Sequence, residues 1–128
     1  MRKAMMILLL AVQALVCSQE KDVDFYYQIA GQTCHDLLAI RKEMDRINDE
    51  ILCLLAERTA YVKRAGELKS KTTKIADDRQ RVADQERKIT GKSMELGLPI
   101  EISLPAFRAI MEASIEFQQD YIEHLSGS

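Results

Sequence analysis

Glycine is scarce in this chain, five residues in 128, and nowhere clustered into a loop that could cradle a phosphate. Cysteine is scarcer still: three residues, no CxxC pair and no disulfide framework. Cys34 and Cys53 are nineteen residues apart. One helix carrying both would separate them by roughly 28 Å, far beyond disulfide reach. Cys53 therefore reads as a small core residue. The two histidines, His35 and His124, stand alone, so no metal site is expected. A dominant charge is missing too. Eighteen Lys and Arg against twenty Asp and Glu leave a net charge of −2, which argues against a nucleic-acid surface. Strand-like alternation and internal repeats are also absent, and what remains is an all-α pattern.

The single long apolar run is at the N-terminus. Arg2 and Lys3 precede Ala4 to Val16, a run broken only by Gln13. Val16-Cys17-Ser18 then offers small residues for cleavage before Gln19, the pattern of an export signal. The run is short for a membrane span and ends at the charged Glu20-Lys21-Asp22. A lipoprotein cut before Cys17, or retention as an anchor, are the alternatives. The expected division is a signal peptide over 1–18, a polar N-terminal arm over 19–35 and one helical domain over 36–125. The mature protein is expected to be exported, periplasmic in a Gram-negative cell and otherwise secreted, with no membrane span. The Phe25-Tyr26-Tyr27 cluster in the arm has no role that the sequence assigns.

Three helices are expected in the mature domain. The first, from about Asp36 as N-cap to Ser70, carries Leu37, Ile40, Met44, Ile47, Ile51, Leu54, Tyr61, Ala65 and Leu68 at steps of three and four. A second follows Asp77 or Asp78 and stops at Gly97, reinforced by Pro99. Its apolar stripe, Val82, Ile89 and Leu96, is thin. The third is capped by Ser103, tolerates Pro105 in its first turn, and ends before Gly127. A first helix of this length spans roughly 50 Å, too long for a compact monomer of this size. Its stripe needs a partner of equal length, and antiparallel self-association is the simplest solution.

Polar residues interrupt these stripes at particular places. After Leu54 the next stripe position is Arg58, and Lys69 returns to nearly the same face about 16 Å further on. On the third helix Ser114 and Gln118, four apart, interrupt the seam Phe107, Met111, Tyr121, Leu125. The bland reading is that Ser114 and Gln118 fix helix register, that Arg58 snorkels to a local Glu and that Arg81 is a solvated charge. Inward cations with few matching carboxylates also fit a bound anion.

Leu37-Leu38-Ala39-Ile40-Arg41, Leu54-Leu55-Ala56-Glu57-Arg58, then Lys69, Asp78, Arg81, Ser114 and Gln118 resemble the all-helical chorismate mutases over about residues 36–122. The resemblance implies an intertwined homodimeric helical bundle that rearranges chorismate to prephenate with no cofactor or metal. It implies that Arg58 clamps one substrate carboxylate and Arg41 of the other subunit the second. Lys69 and Gln118 would donate to the breaking ether oxygen, with Arg81, Ser114 and the backbone near Asp78 lining the ring and hydroxyl side. Spacing independently agrees with a shared site: Arg41 and Arg58 are about 25 Å apart along one helix, so one small ligand cannot touch both from one chain.

One position departs from the family pattern. Val82 stands where those mutases usually place a Glu that accepts from the ring hydroxyl, and Glu86, one turn later, is the candidate replacement. The alternative is the related isochorismate-pyruvate lyase branch, to which Arg81-Val82 and Tyr61-Val62-Lys63 are similar. A third reading is a non-catalytic exported helical dimer.

Overall fold

The computed structural model describes residues 21–73 and 75–127. The expected export segment, with Cys17 and the start of the arm, lies outside them. Among the described residues all the regular secondary structure is helical: α1 (Val23–Thr33), α2 (Leu37–Lys69), α3 (Arg79–Glu95) and α4 (Ile100–Ser126). No helix among them is long and apolar enough to cross a membrane.

The count is four rather than three because the expected arm is itself a helix. Asp22 caps α1 by accepting from the Phe25 amide at 2.9 Å. The amide of Val23, one of the donors a helix start leaves unpaired, bonds the Leu96 carbonyl at the far end of α3 (3.0 Å). That closing bond joins residues more than seventy apart, so no local pattern announces it.

The long helix forms as expected, with Asp36 accepting from the Ala39 amide at 2.7 Å. Only its C-terminal half packs within the chain. Gly66 is buried against α4, where an added Cβ would meet Gln118 Cγ at 3.2 Å and Tyr121 Cδ1 at 3.4 Å. Glycine at this point therefore sets how closely α2 and α4 approach. The N-terminal half carries Leu37, Met44, Ile47, Ile51 and Leu54 in the open, 44–70% exposed. Cys53 is exposed too, correcting its expected core position. Periodicity identifies a face that can be buried, and among the described residues nothing covers this one.

Asp78 caps α3 through the Arg81 amide (3.0 Å). Gly97, in the left-handed region at φ 61°, ends α3 with the Leu98 amide bonded to the Ser93 carbonyl (2.9 Å). The return into α4 is tight, which corrects the expected Ser103 cap. Helix α4 starts at Ile100 behind Pro99, whose carbonyl accepts from both Ile102 and Ser103. Ser103 is instead a buried residue whose hydroxyl pairs with that of Ser93 at 2.6 Å, pinning α3 to α4. Pro105 consequently lies in the second turn, past the positions whose amides lack helical partners.

Among the described residues the buried apolar side chains are few, Ala76 and Met111, and both line the cavity described next.

Candidate functional site

The C-terminal half of α2, the 70–78 connection, the start of α3 and the middle of α4 enclose a cavity of about 320 Å3. Its size suits a ligand of small-metabolite dimensions. The polar side chains around it are Arg58, Tyr61, Lys69, Asp78, Arg81, Gln85, Ser114 and Gln118, with Val82, Met111 and Ile115 among the apolar ones. The wall thus carries three cations and one carboxylate.

Helical periodicity places these groups. Arg58 and Lys69 share the inner face of α2. Asp78, Arg81, Val82 and Gln85 follow one another at steps of three, one and three along the first turns of α3, on the face turned to the cavity. Ser114 and Gln118 are one turn apart on α4.

Hydrogen bonds fix several of these side chains. Arg58 Nη1 donates to Ser114 Oγ (2.7 Å), and the Ser114 hydroxyl donates onward to the Ile110 carbonyl (2.6 Å). Its proton committed, Ser114 orients Arg58. Arg58 pairs across to α4, not with a glutamate of its own helix. Gln118, 5% exposed, accepts from Lys69 Nζ at 2.8 Å and donates through Nε2 to the Val62 carbonyl at 2.8 Å. The two partners are an obligate donor and an obligate acceptor, so together they determine which way the amide faces. The second Nε2 hydrogen has no partner within this pair of bonds. Asp78 spends a carboxylate oxygen on the Arg81 amide. The side chains of Arg81 and Gln85, by contrast, form no hydrogen bond or ion pair with any described residue.

Neighbouring charges stay outside the cavity. Glu86 does not line it, which corrects the expectation that Glu86 replaces the missing glutamate at Val82. Its carboxylate accepts from Arg108 Nε of α4 at 2.7 Å, away from the cavity lining, and that bond holds the carboxyl below its usual range. Beyond Gln118, Glu67 accepts from Arg64 and from the Tyr121 hydroxyl (2.7 and 3.0 Å). Those donors, Arg64 foremost, lower the Glu67 carboxyl, and the same contact raises the Tyr121 phenol. Arg79 bonds Glu112 of α4 (2.6 Å) as well as Asp77, tying the α3 entrance to α4.

Of the residues singled out from sequence, Arg58, Lys69, Asp78, Arg81, Val82, Ser114 and Gln118 come together here. Arg41 does not; it is exposed on the unpaired half of α2. Sequence reasoning missed Gln85 and Gly66. Gly66 did carry a signal, since glycine inside a helix costs about 1 kcal/mol relative to alanine and calls for a reason. No group of three His, Cys, Asp or Glu among the described residues could hold a metal ion.

Residues 40–119 match the family model described as chorismate mutase type II. Among curated proteins, the chain is similar to the bifunctional chorismate mutase/prephenate dehydratase of Aquifex aeolicus (strain VF5), at 36% identity over 91 residues. That alignment covers 66% of this chain and 24% of the relative, so the chain spans about a quarter of the length of the protein it matches. No solved structure matches the chain significantly.

Proposed function

The chain belongs to the type II chorismate mutase family, and on that premise we propose that it rearranges chorismate to prephenate. The observation that carries the reading is the charge pattern of the cavity: Arg58, Lys69 and Arg81 face it, the neutral Gln118 is held rigidly beside Lys69, and the one carboxylate is engaged in capping. Chorismate is a dianion with one carboxylate on its ring and one on its enolpyruvyl arm. In the [3,3] shift the ether C–O bond breaks as a C–C bond forms between arm and ring, and nothing enters or leaves. The protein therefore has two tasks. It holds the arm over the ring, and it stabilises the negative charge that grows on the ether oxygen.

Arg58, oriented by Ser114, clamps one carboxylate bidentately. Lys69 and the remaining Nε2 hydrogen of Gln118 donate to the ether oxygen, with Arg81 and the backbone near Asp78 along the ring side. Because these donors are held by other protein groups before substrate arrives, little reorganisation is needed as charge develops.

The second carboxylate calls for another cation, and here the exposed half of α2 bears on function. With only two buried apolar residues among those described, the chain lacks the core it needs to stand alone. The row Leu37, Met44, Ile47, Ile51 and Leu54 lies exposed on the same helix as Arg41. A second copy packed antiparallel along α2 covers that row and carries its Arg41 toward the first copy's cavity, in a two-fold arrangement. We place the protein after export, on the strength of the Arg2 to Ser18 pattern.

Purified protein supplied with chorismate in the presence of a chelator is expected to yield prephenate. Turnover of isochorismate alone, to salicylate and pyruvate, would replace this reading with the lyase. Turnover of neither would leave a non-catalytic helical dimer.

A further inference from the structure

We propose that Gln85 is the residue that reads the ring hydroxyl of the substrate, a role that rests on the chorismate mutase reading above. Chorismate carries four polar features: two carboxylates, the ether oxygen and one ring hydroxyl. The cations and the Gln118 amide account for the first three, and a neutral hydroxyl is matched by a group that can both donate and accept. Three other wall residues could compete for it. Ser114 is committed, its proton on the Ile110 carbonyl and its oxygen accepting from Arg58. Asp78 holds the α3 N-terminus. Tyr61 is 71% exposed, so water competes for its hydroxyl.

Gln85 alone combines the required properties. It lines the cavity, is half-buried, and forms no hydrogen bond with any described residue. It follows Arg81 by four residues and Val82 by three, so the three side chains form one patch, with neighbouring Cβ atoms roughly 5–6 Å apart. In that patch Arg81 supplies charge, Val82 a methyl surface against the ring, and Gln85 the donor and acceptor. A primary amide that no protein group satisfies costs its desolvation whenever a ligand without a matching group covers it, which is how the position would discriminate between substrates. A neutral reader also adds no negative charge to a site that must hold a dianion.

The test compares chorismate with its ring-deoxy analogue, using the wild-type protein and Gln85→Leu. Gln85→Leu is expected to lower kcat/KM for chorismate roughly tenfold, the worth of one neutral hydrogen bond, while leaving the deoxy analogue unchanged or improved. If the leucine variant does not fold, Gln85→Asn, which withdraws the amide by one methylene, is expected to give the same selectivity change. Equal losses on both substrates, or no loss on either, would overturn the proposal while the mutase reading stands. A wild-type protein that turns over neither compound would instead overturn the mutase reading.

Discussion

Gln118→Leu isolates the electrostatic part of the mechanism. Leucine presents an aliphatic side chain of similar size against Gly66, where Gln118 Cγ lies 3.2 Å from the point that a Cβ added at residue 66 would occupy. What it removes is the bond from Lys69 Nζ and the bond to the Val62 carbonyl, both 2.8 Å. At about 0.5–1.5 kcal/mol each, the stability cost is about 1–3 kcal/mol, tempered because the Val62 carbonyl keeps its helical partner. The catalytic cost is of another size. Losing one preorganised donor to a developing oxyanion is worth roughly 3–4 kcal/mol, or about 10²–10³ in kcat. Because the ether oxygen gains charge only in the transition state, the loss belongs in kcat and KM should change little. The assay follows disappearance of the chorismate diene by absorbance, with a thermal melt to separate folding from catalysis. Gln118→Glu sharpens it: an ionised carboxylate cannot donate to the ether oxygen and sets an acceptor against the Val62 carbonyl, so its activity should rise on acidification. The wild-type amide needs no such acid. A Gln118→Leu enzyme with normal kcat and a raised KM would refute the assignment.

Gly66→Ala should lower kcat while leaving the melting temperature equal or slightly raised, because alanine favours the helix by up to about 1 kcal/mol but displaces Gln118; kinetics and a melt on one sample check both, and full activity would show that the close approach is not needed. The Glu67 carboxyl, held low by Arg64 and Tyr121, should contribute stability that is fully present above the ordinary carboxyl value of 4.5 and lost as pH falls through its lowered value. Glu67→Gln should therefore weaken the protein at neutral pH and flatten the acid limb of its stability curve, measured as melting temperature against pH.

How far the sequence carried depended on whether each signal was local. The α2 stripe and the Asp36, Asp78 and Gly97 boundaries are written in neighbouring residues, and they appear where expected. Helix α1 is held by a bond to Leu96, and Ser103 by its pairing with Ser93, partners that no short window contains. Reading Ser103 as a cap followed a sound local preference that a longer-range bond overrode. Cys53 shows the other limit: a free cysteine is usually buried, yet residue type alone does not say which face of the helix it occupies, and here it is exposed. Glu86 and Gln85 differ by one residue, about 100° around α3. Either can share a face with the Arg81-Val82 pair on spacing alone, and Arg108 on α4 decides the matter by holding Glu86 outside.

Mixed dimers put a chorismate site completed by a second copy of the chain to the test. Arg41→Ala and Arg58→Ala proteins should each be nearly inactive as homodimers. Unfolded together and refolded as a mixture, they should form heterodimers in which one site carries both lesions and the other carries neither. With random pairing, activity should return to about a quarter of the wild-type level. Activity that stays at the level of the separate variants, in a mixture whose heterodimers are verified by mass, would contradict the shared site.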